Sequence, residues 1–326
     1  MNVNNGEILS MVSLPDFNLN KRETIKDVNY INRITKGTYE LGSVFKTFTV
    51  ASGINEGLIE PDTEFLDSKK SIRCGKNYNI EEYDNKMSSD LTVEQILIKS
   101  GNIGSVRIAR MIGIEKHKSF LKTIGILDKI DFDISEVGKP QTIDWYEGCK
   151  LDTIAFGHGI TTTILQLAKG YSIITNGGYD IKPTLIKKNL DKKNKRKKVL
   201  KNDVSKKLNT ILRKVVTEGT AKLANVEGYQ VGGKTGTAEQ VNNSIYSSTK
   251  INTIAAIFPT ENPKYVLVVM LESTKNNKEY IYEYRDGSGF KLKGSPRNTA
   301  GWTSVEAAGK IIDKIGPILA TKYIEN

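Results

Sequence analysis

Tyr39-Glu40-Leu41-Gly42-Ser43-Val44-Phe45-Lys46 is the stretch from which the rest of the chain can be read. Ser43 follows a glycine and opens an apolar run, Val44 to Ile54, in which Phe45, Phe48, Ala51 and Ile54 recur at helical spacing before Gly57 and Pro61 close it. The pattern predicts a buried helix. A lysine three residues after a serine on such a helix lies on the same face, a turn away, so hydroxyl and amine can meet. The helix N-terminus adds free N–H groups and the positive end of its dipole, which favour a developing negative charge. Ser-x-x-Lys is weak evidence in a lysine-rich chain, because Ser119/Lys122, Ser247/Lys250 and Ser288/Lys291 match it too. Only Ser43 follows a glycine and begins a long apolar helix.

Working outward, helical patterns recur at 92–98, 103–112, 116–124, 164–175 and 204–217, strand patterns at 251–258 and 264–272, and 303–315 reads as an amphipathic helix. Asn5-Gly6 is a hairpin turn signal, and Gly6 to Val12 alternates as a strand. Only four residues precede that turn, so the pattern reads as a chain cut within its first hairpin, leaving 6–12 as an unpaired sheet edge. Strand first, helices in the middle, then strands and a helix: this order predicts a sheet-containing lobe with an all-helical insertion, an α+β fold.

Composition sets bounds on function. The 326 residues include 48 basic and 37 acidic side chains and 38% hydrophobic residues, which excludes disorder. Much of the +11 net charge sits in Lys187 to Lys201, where nine basic residues accompany the single acid Asp191. Apolar residues flank this run, so it reads as a solvated loop between two short strands. No aromatic residue interleaves its lysines to stack on bases, which argues against nucleic acid. No apolar stretch reaches the ~20 residues of a membrane span, and Met1 to Glu7 has no secretory pattern. His117, His158, Cys74 and Cys149 have no metal-ligand spacing, so neither metal nor cofactor is expected. The two cysteines by themselves do not assign a redox compartment.

Two further signatures each occur once: Ser100-Gly101-Asn102 between helical patterns, and Lys234-Thr235-Gly236-Thr237 entering a strand. Ser-x-x-Lys, then Ser-x-Asn, then Lys-Thr-Gly, in this order and widely spaced, is the motif set of penicillin-binding proteins and class A β-lactamases. With Asn5 to Asn18, Phe156-Gly157-His158-Gly159-Ile160, Leu165-Gln166-Leu167-Ala168 and Asn176-Gly177-Gly178, the chain resembles the transpeptidase domain of class B penicillin-binding proteins over nearly its whole length. The 156–160 stretch and Thr299-Ala300-Gly301-Trp302 resemble the septal, division-specific subgroup.

The resemblance implies a penicillin-binding protein/β-lactamase-like fold, an antiparallel sheet flanked by helices. Its α/β lobe would span about 1–55 and 180–326, with a helical subdomain at about 56–179. It implies a peptidoglycan D,D-transpeptidase with Ser43 as nucleophile and Lys46 as base. Lys46 would be made neutral by burial against Phe45 and Phe48 and by the nearby cation Lys234. Ser100 would relay a proton to the leaving amine, and Asn102 would hold Lys46 and substrate. Lys234, Thr235 and Thr237 would bind the terminal carboxylate, Gly236 would let the backbone approach substrate, and the N–H groups of Ser43 and Thr237 would form the oxyanion hole. His158 reads as structural. Implied partners are stem peptides (a D-alanyl-D-alanine donor and an amine acceptor), β-lactam antibiotics and, in a longer chain, divisome membrane proteins.

Gly101 stands where the family more often has serine or aspartate. The family is anchored in the inner membrane with its catalytic domain in the periplasm; with no anchor or pedestal pattern read in it, this sequence as written is expected to be soluble. Two other readings stay open. A β-lactam hydrolase or sensor would need a glutamate to activate water, and Glu147 lies in no recognisable frame for it; the other reading is an inactive remnant of a split gene.

Overall fold

In the computed structural model, which describes residues 1–26, 30–66, 70–75, 78–88, 90–187, 196–242, 245–295 and 297–324, the apolar run after Ser43 is helix α1 (Lys46–Glu56), entered through a 3-10 turn at Gly42–Phe45. Every residue from Lys46 to Ile54 is buried. The helix therefore has no solvent face, and its small residues Thr47, Thr49, Ala51, Ser52 and Gly53 let neighbours close in on all sides.

The chain continues through β1 (Glu64–Phe65), β2 (Ser71–Cys74), β3 (Tyr78–Glu81), β4 (Leu91–Thr92), α2 (Val93–Lys99), α3 (Asn102–Ile112), α4 (Ile114–Thr123), α5 (Lys150–Ile154) and α6 (Ile164–Thr175). It ends with α7 (Asn202–Thr217), β5 (Gly232–Asn242), β6 (Ile245–Phe258), β7 (Tyr265–Glu272), β8 (Ile281–Glu283), β9 (Lys291–Lys293) and α8 (Ser304–Ile324). Thr-x-x-Gln starts both α2 and α6 as a capping box: the threonine hydroxyl accepts the glutamine N–H, and the glutamine side chain accepts the threonine N–H. The main sheet is antiparallel in the order β5-β6-β7, with Lys234 opposite Ala255 and Thr237 opposite Asn252. Helices α6 and α8 pack against β6 and β7, and α7 packs against β5. The apolar stripe of α7, Val204, Leu208, Ile211, Leu212, Val215 and Val216, is buried as its helical spacing requires.

Three expectations need correction. The segment 56–179 is not all-helical, since it carries the two-stranded sheets β1-β4 and β2-β3; strands of two to four residues are too short for periodicity to reveal. Helix α6, placed by sequence in the helical subdomain, packs on the main sheet because it is apolar on nearly every side. At the N-terminus the turn forms, with Asn2 N–H donating to Glu7 O at 2.8 Å, but 6–12 is not a strand. Glu7 makes an isolated parallel bridge to Thr184, and Val12 is 68% exposed. Instead, Met1 to Val3 runs antiparallel along β7. The Met1 amine donates to Val266 O, Val266 N–H to Met1 O and Val3 N–H to Lys264 O, each at 2.9 Å. Hydrogen bonding thus selected the residues before the turn, not those after it, to extend the sheet.

In the basic run, Arg196 and Lys198 lie over the Tyr179 ring at 4.8 and 5.0 Å, and Lys198 is bridged to Tyr179. Residues 188–195, which hold four of the run's nine basic residues, lie outside the described residues. Cys74 and Cys149 form a disulfide across 75 residues, with Cα atoms 5.5 Å apart. It ties the end of β2 to the residue before α5. Opening a loop of this length is expected to cost about 4 kcal/mol by chain entropy, lowering the thermal midpoint by roughly 6 °C. Calorimetry with and without reductant measures this, and equal midpoints would show that the bond contributes nothing to stability.

Candidate active site

Four parts of the chain meet around one cavity of about 470 Å³, whose lining includes Ser43, Ser100, Asn102, Thr235, Thr237 and Trp302. Ser43 comes from the 3-10 turn before α1. Ser100 ends α2 in the left-handed region at φ 63°, a conformation costly for a residue with a side chain and concentrated at functional sites. That turn presents both of its oxygens to Lys46: Nζ donates to Ser100 O at 2.5 Å and lies 3.3 Å from Ser100 Oγ. Asn102 Oδ1 accepts from the same nitrogen at 2.6 Å. From β5, Lys234 Nζ donates to Ser100 Oγ at 2.9 Å and to Thr235 O at 3.1 Å. The Ser100 hydroxyl therefore sits between two lysine nitrogens. Among the described residues, Ser43 Oγ is not a hydrogen-bond partner of Lys46 Nζ, and catalytic contacts of this kind often tighten only with substrate.

Both lysines are fully buried. Burial pulls Lys46 down from 10.5 to about 7, against the opposing pull of the Glu82 carboxylate. Lys234 is held well below its ordinary range, first by burial and then by the charge of Lys46. The repulsion between the two cations thus weighs on Lys234, whereas desolvation alone lowers Lys46. The aromatic wall expected from sequence is present. Phe45 and Phe48 meet edge to face at 5.5 Å, and Phe48 meets Tyr171 at 5.3 Å. The Tyr171 hydroxyl hydrogen-bonds to Val44 O at 2.8 Å, fixing α6 against the turn that carries Ser43.

On β5, Thr235 Oγ1 pairs with Thr220 Oγ1 at 2.7 Å. Thr237 Oγ1 donates to Asn252 Oδ1 and accepts the Ala300 N–H, both at 3.0 Å. Gly236 faces the turn ahead of Ser43 rather than the cavity: a Cβ there would lie 2.1 Å from Leu41 O, so only glycine lets β5 lie against that turn. A Cβ on Gly42 would be 3.4 Å from Thr237 N, which puts the backbones that carry Ser43 and Thr237 side by side. His158 lines the cavity with the Phe156 ring 5.0 Å away. Burial and then the charge of Lys46 push it down to about 4, which leaves it neutral near pH 7.

Glu147 is exposed and outside the lining; the carboxylate that does line the cavity is that of Glu239. Sequence reasoning missed Glu82, Asn252, Tyr83 and Tyr284. None belongs to a motif, and their approach depends on how the β2-β3 hairpin and the later strands fold back. The Glu40 carboxylate accepts the Gly159 N–H at 3.0 Å, joining the Ser43 turn to the glycine-rich stretch around His158.

Residues 1–286 match the family described as penicillin binding protein transpeptidase domain. The chain is 30% identical over 332 residues to the probable peptidoglycan D,D-transpeptidase FtsI of Caulobacter vibrioides, covering 98% of this chain and 53% of that protein. It is 29% identical over 303 residues to the stage V sporulation protein D of Bacillus subtilis, covering 86% and 45%. The chain therefore spans about half the length of the curated relatives it matches. Among solved structures, the TP domain of penicillin-binding protein 3 from Burkholderia pseudomallei superposes with a TM-score of 0.78 at 23% identity, covering 98% of this chain and 86% of that one. This likeness establishes the α+β fold of the domain.

Proposed function

This chain belongs to the penicillin binding protein transpeptidase domain family, and we propose that it is a serine acyltransferase that cross-links peptidoglycan stem peptides. Ser43 Oγ bonds to the carbonyl carbon of the penultimate D-alanine while the C–N bond to the terminal D-alanine breaks. The serine proton passes to Lys46, and the departing amine takes a proton through Ser100. The amine of a second stem peptide then attacks the acyl-serine, forming the new amide and releasing Ser43 with its proton restored. Lys234, Thr235 and Thr237 would hold the donor's carboxylate, and the N–H groups of Ser43 and Thr237 would take the developing oxyanion charge. A β-lactam carbonyl would meet the same nucleophile.

The observation that carries this reading is the Ser100 hydroxyl held between Lys46 Nζ and Lys234 Nζ beside Ser43. A lysine near neutrality can take a proton from a hydroxyl, and a bridging hydroxyl can pass one on. The septal assignment rests on the 156–160 and 299–302 stretches and on the relative named FtsI. A catalytic domain at work in an oxidising compartment fits the Cys74–Cys149 disulfide. Among the described residues no helix is long and apolar enough to cross a membrane.

A transpeptidase must keep water from its acyl-enzyme while it waits for an amine. Nitrocefin should therefore give one stoichiometric burst followed by slow release. Rapid continuous turnover would identify a hydrolase instead, and no burst at all would identify an inert chain.

A further inference from the structure

Glu82 lies just past β3 and outside all three motifs. Its carboxylate accepts the backbone N–H groups of Asn102 at 2.6 Å and Ile103 at 3.0 Å, the first two residues of α3. A helix leaves these donors without partners unless a side chain caps them. The residue in the N-cap position is Gly101, which has no side chain to do so. Next to Glu82, the Glu81 carbonyl accepts from Asn102 Nδ2 at 2.7 Å. The end of the hairpin thus grips Asn102 by its backbone and by its side-chain amide, and the remaining Oδ1 is left pointing at Lys46 Nζ.

We propose that Glu82 is a positioning residue for acyl transfer, a cap supplied from a distant part of the chain that fixes Asn102 and, through it, Lys46. The proposal rests on the reading of Ser43 and Lys46 as an acylation site. Space and charge both support it. A Cβ on Gly101 would lie 3.5 Å from Glu82 Oε1 and 3.3 Å from Leu91 Cδ1. A serine at 101 could cap α3 there, whereas an aspartate would set a second negative charge beside the first. Glutamate at 82 and a capping side chain at 101 are alternative ways to do one task. The hairpin is itself anchored at both ends of its reach. Cys74 ties β2 to Cys149, and Tyr83 and Asp84 contact Arg297, two residues before the cavity-lining Thr299.

The titratable groups that face Lys46 are Lys234 from β5, His158 from the turn after α5, and Glu82. Glu82 is the anion among them, so its charge favours the protonated lysine. Its loss should have two opposite effects. Lys46 would titrate at lower pH, while looser placement of Asn102 would slow acylation.

The test uses the full chain, Glu82→Gln and the double variant Glu82→Gln/Gly101→Ser. Lys46 is titrated by NMR of its labelled side-chain amine, hydrogen exchange is read at the Asn102 and Ile103 amides, and acylation by a fluorescent penicillin is followed against pH. In Glu82→Gln the Lys46 midpoint should fall by roughly half a pH unit or more, and amide exchange and acylation should change by about tenfold, the scale of a lost helix cap. The added Gly101→Ser should restore amide protection and most of the rate, but not the Lys46 midpoint. An unchanged midpoint with unchanged amide protection in Glu82→Gln overturns the proposal, and so does an unchanged acylation rate. If the parent chain fails to acylate Ser43, the transpeptidase reading fails, while the two NMR readouts still decide whether Glu82 holds Asn102 and Lys46. Should Glu82→Gln not fold, the double variant carries the midpoint test by itself.

Discussion

Ser43→Ala is expected to abolish covalent labelling by penicillin, with a loss on the order of 10⁶-fold, the scale seen when a catalytic serine is removed from a hydrolase. The size of the effect follows from what the site lacks. Ser100 Oγ, the other hydroxyl within reach of Lys46, already hydrogen-bonds to Lys234 at 2.9 Å and lies 3.3 Å from Lys46. It is held by two donors and cannot turn its lone pair on a carbonyl without breaking both contacts. Ser43 sits instead at the mouth of the 3-10 turn, on the cavity and beside the Thr237 backbone. Peptide mass spectrometry after incubation with penicillin should place the adduct on the peptide containing Ser43. An adduct on another peptide, or one that survives Ser43→Ala, would sink the assignment. The fold itself should tolerate the change, because Ser43 is only partly buried in its turn and the buried residues around it, Leu41, Val44 and Phe45, are untouched.

Where interactions are local, the sequence was legible. The helix after Ser43, the helices at 92–98 and 164–175, and the strands at 251–258 and 264–272 follow from periodicity within a few residues. The three motifs could be placed in one site only because their order resembled a known family, since 54 residues or more separate Lys46 from its partners. What stayed hidden depends on long-range pairing. Met1 to Val3 joins β7 some 260 residues away, and nothing in four residues of sequence announces that partner. Cys74 and Cys149 meet because the β2-β3 hairpin folds onto the start of α5, a contact between segments whose strands were too short to read. Glu82 was missed for the same reason, since an exposed-looking Glu81-Glu82 pair becomes a helix cap only when that hairpin reaches α3. Gly236 was read as making room for substrate, but its missing side chain makes room for Leu41 O, a contact between two motifs that neither motif predicts alone.

Acylation should depend on pH through Lys46, and the sign can be worked out from its environment. Burial lowers its midpoint to about 7, so the neutral amine that can accept the Ser43 proton dominates above that pH and is lost below it. The second-order rate of acylation should therefore be flat above about pH 8 and fall tenfold per unit below about pH 6, as protonation removes the base. Lys46→Ala should lower the plateau by roughly a hundredfold or more and remove the acid limb, because no titrating base remains. Lys234→Ala should also lower the plateau, by loss of the carboxylate contact and of the donor to Ser100 Oγ, but its effect on the limb differs. The repulsion between the two lysines weighs on Lys234 and burial alone lowers Lys46, so the limb should stay where it is in the parent. Loss of Glu82 is expected to move the same limb downward, so a shifted limb separates the two neighbours even where both variants are slow. Stopped-flow rates with a chromogenic β-lactam across pH 5 to 9 give all of these numbers. If Lys46→Ala acylates at the parent rate, or keeps the parent's acid limb, the proton goes elsewhere and Lys46 is not the base.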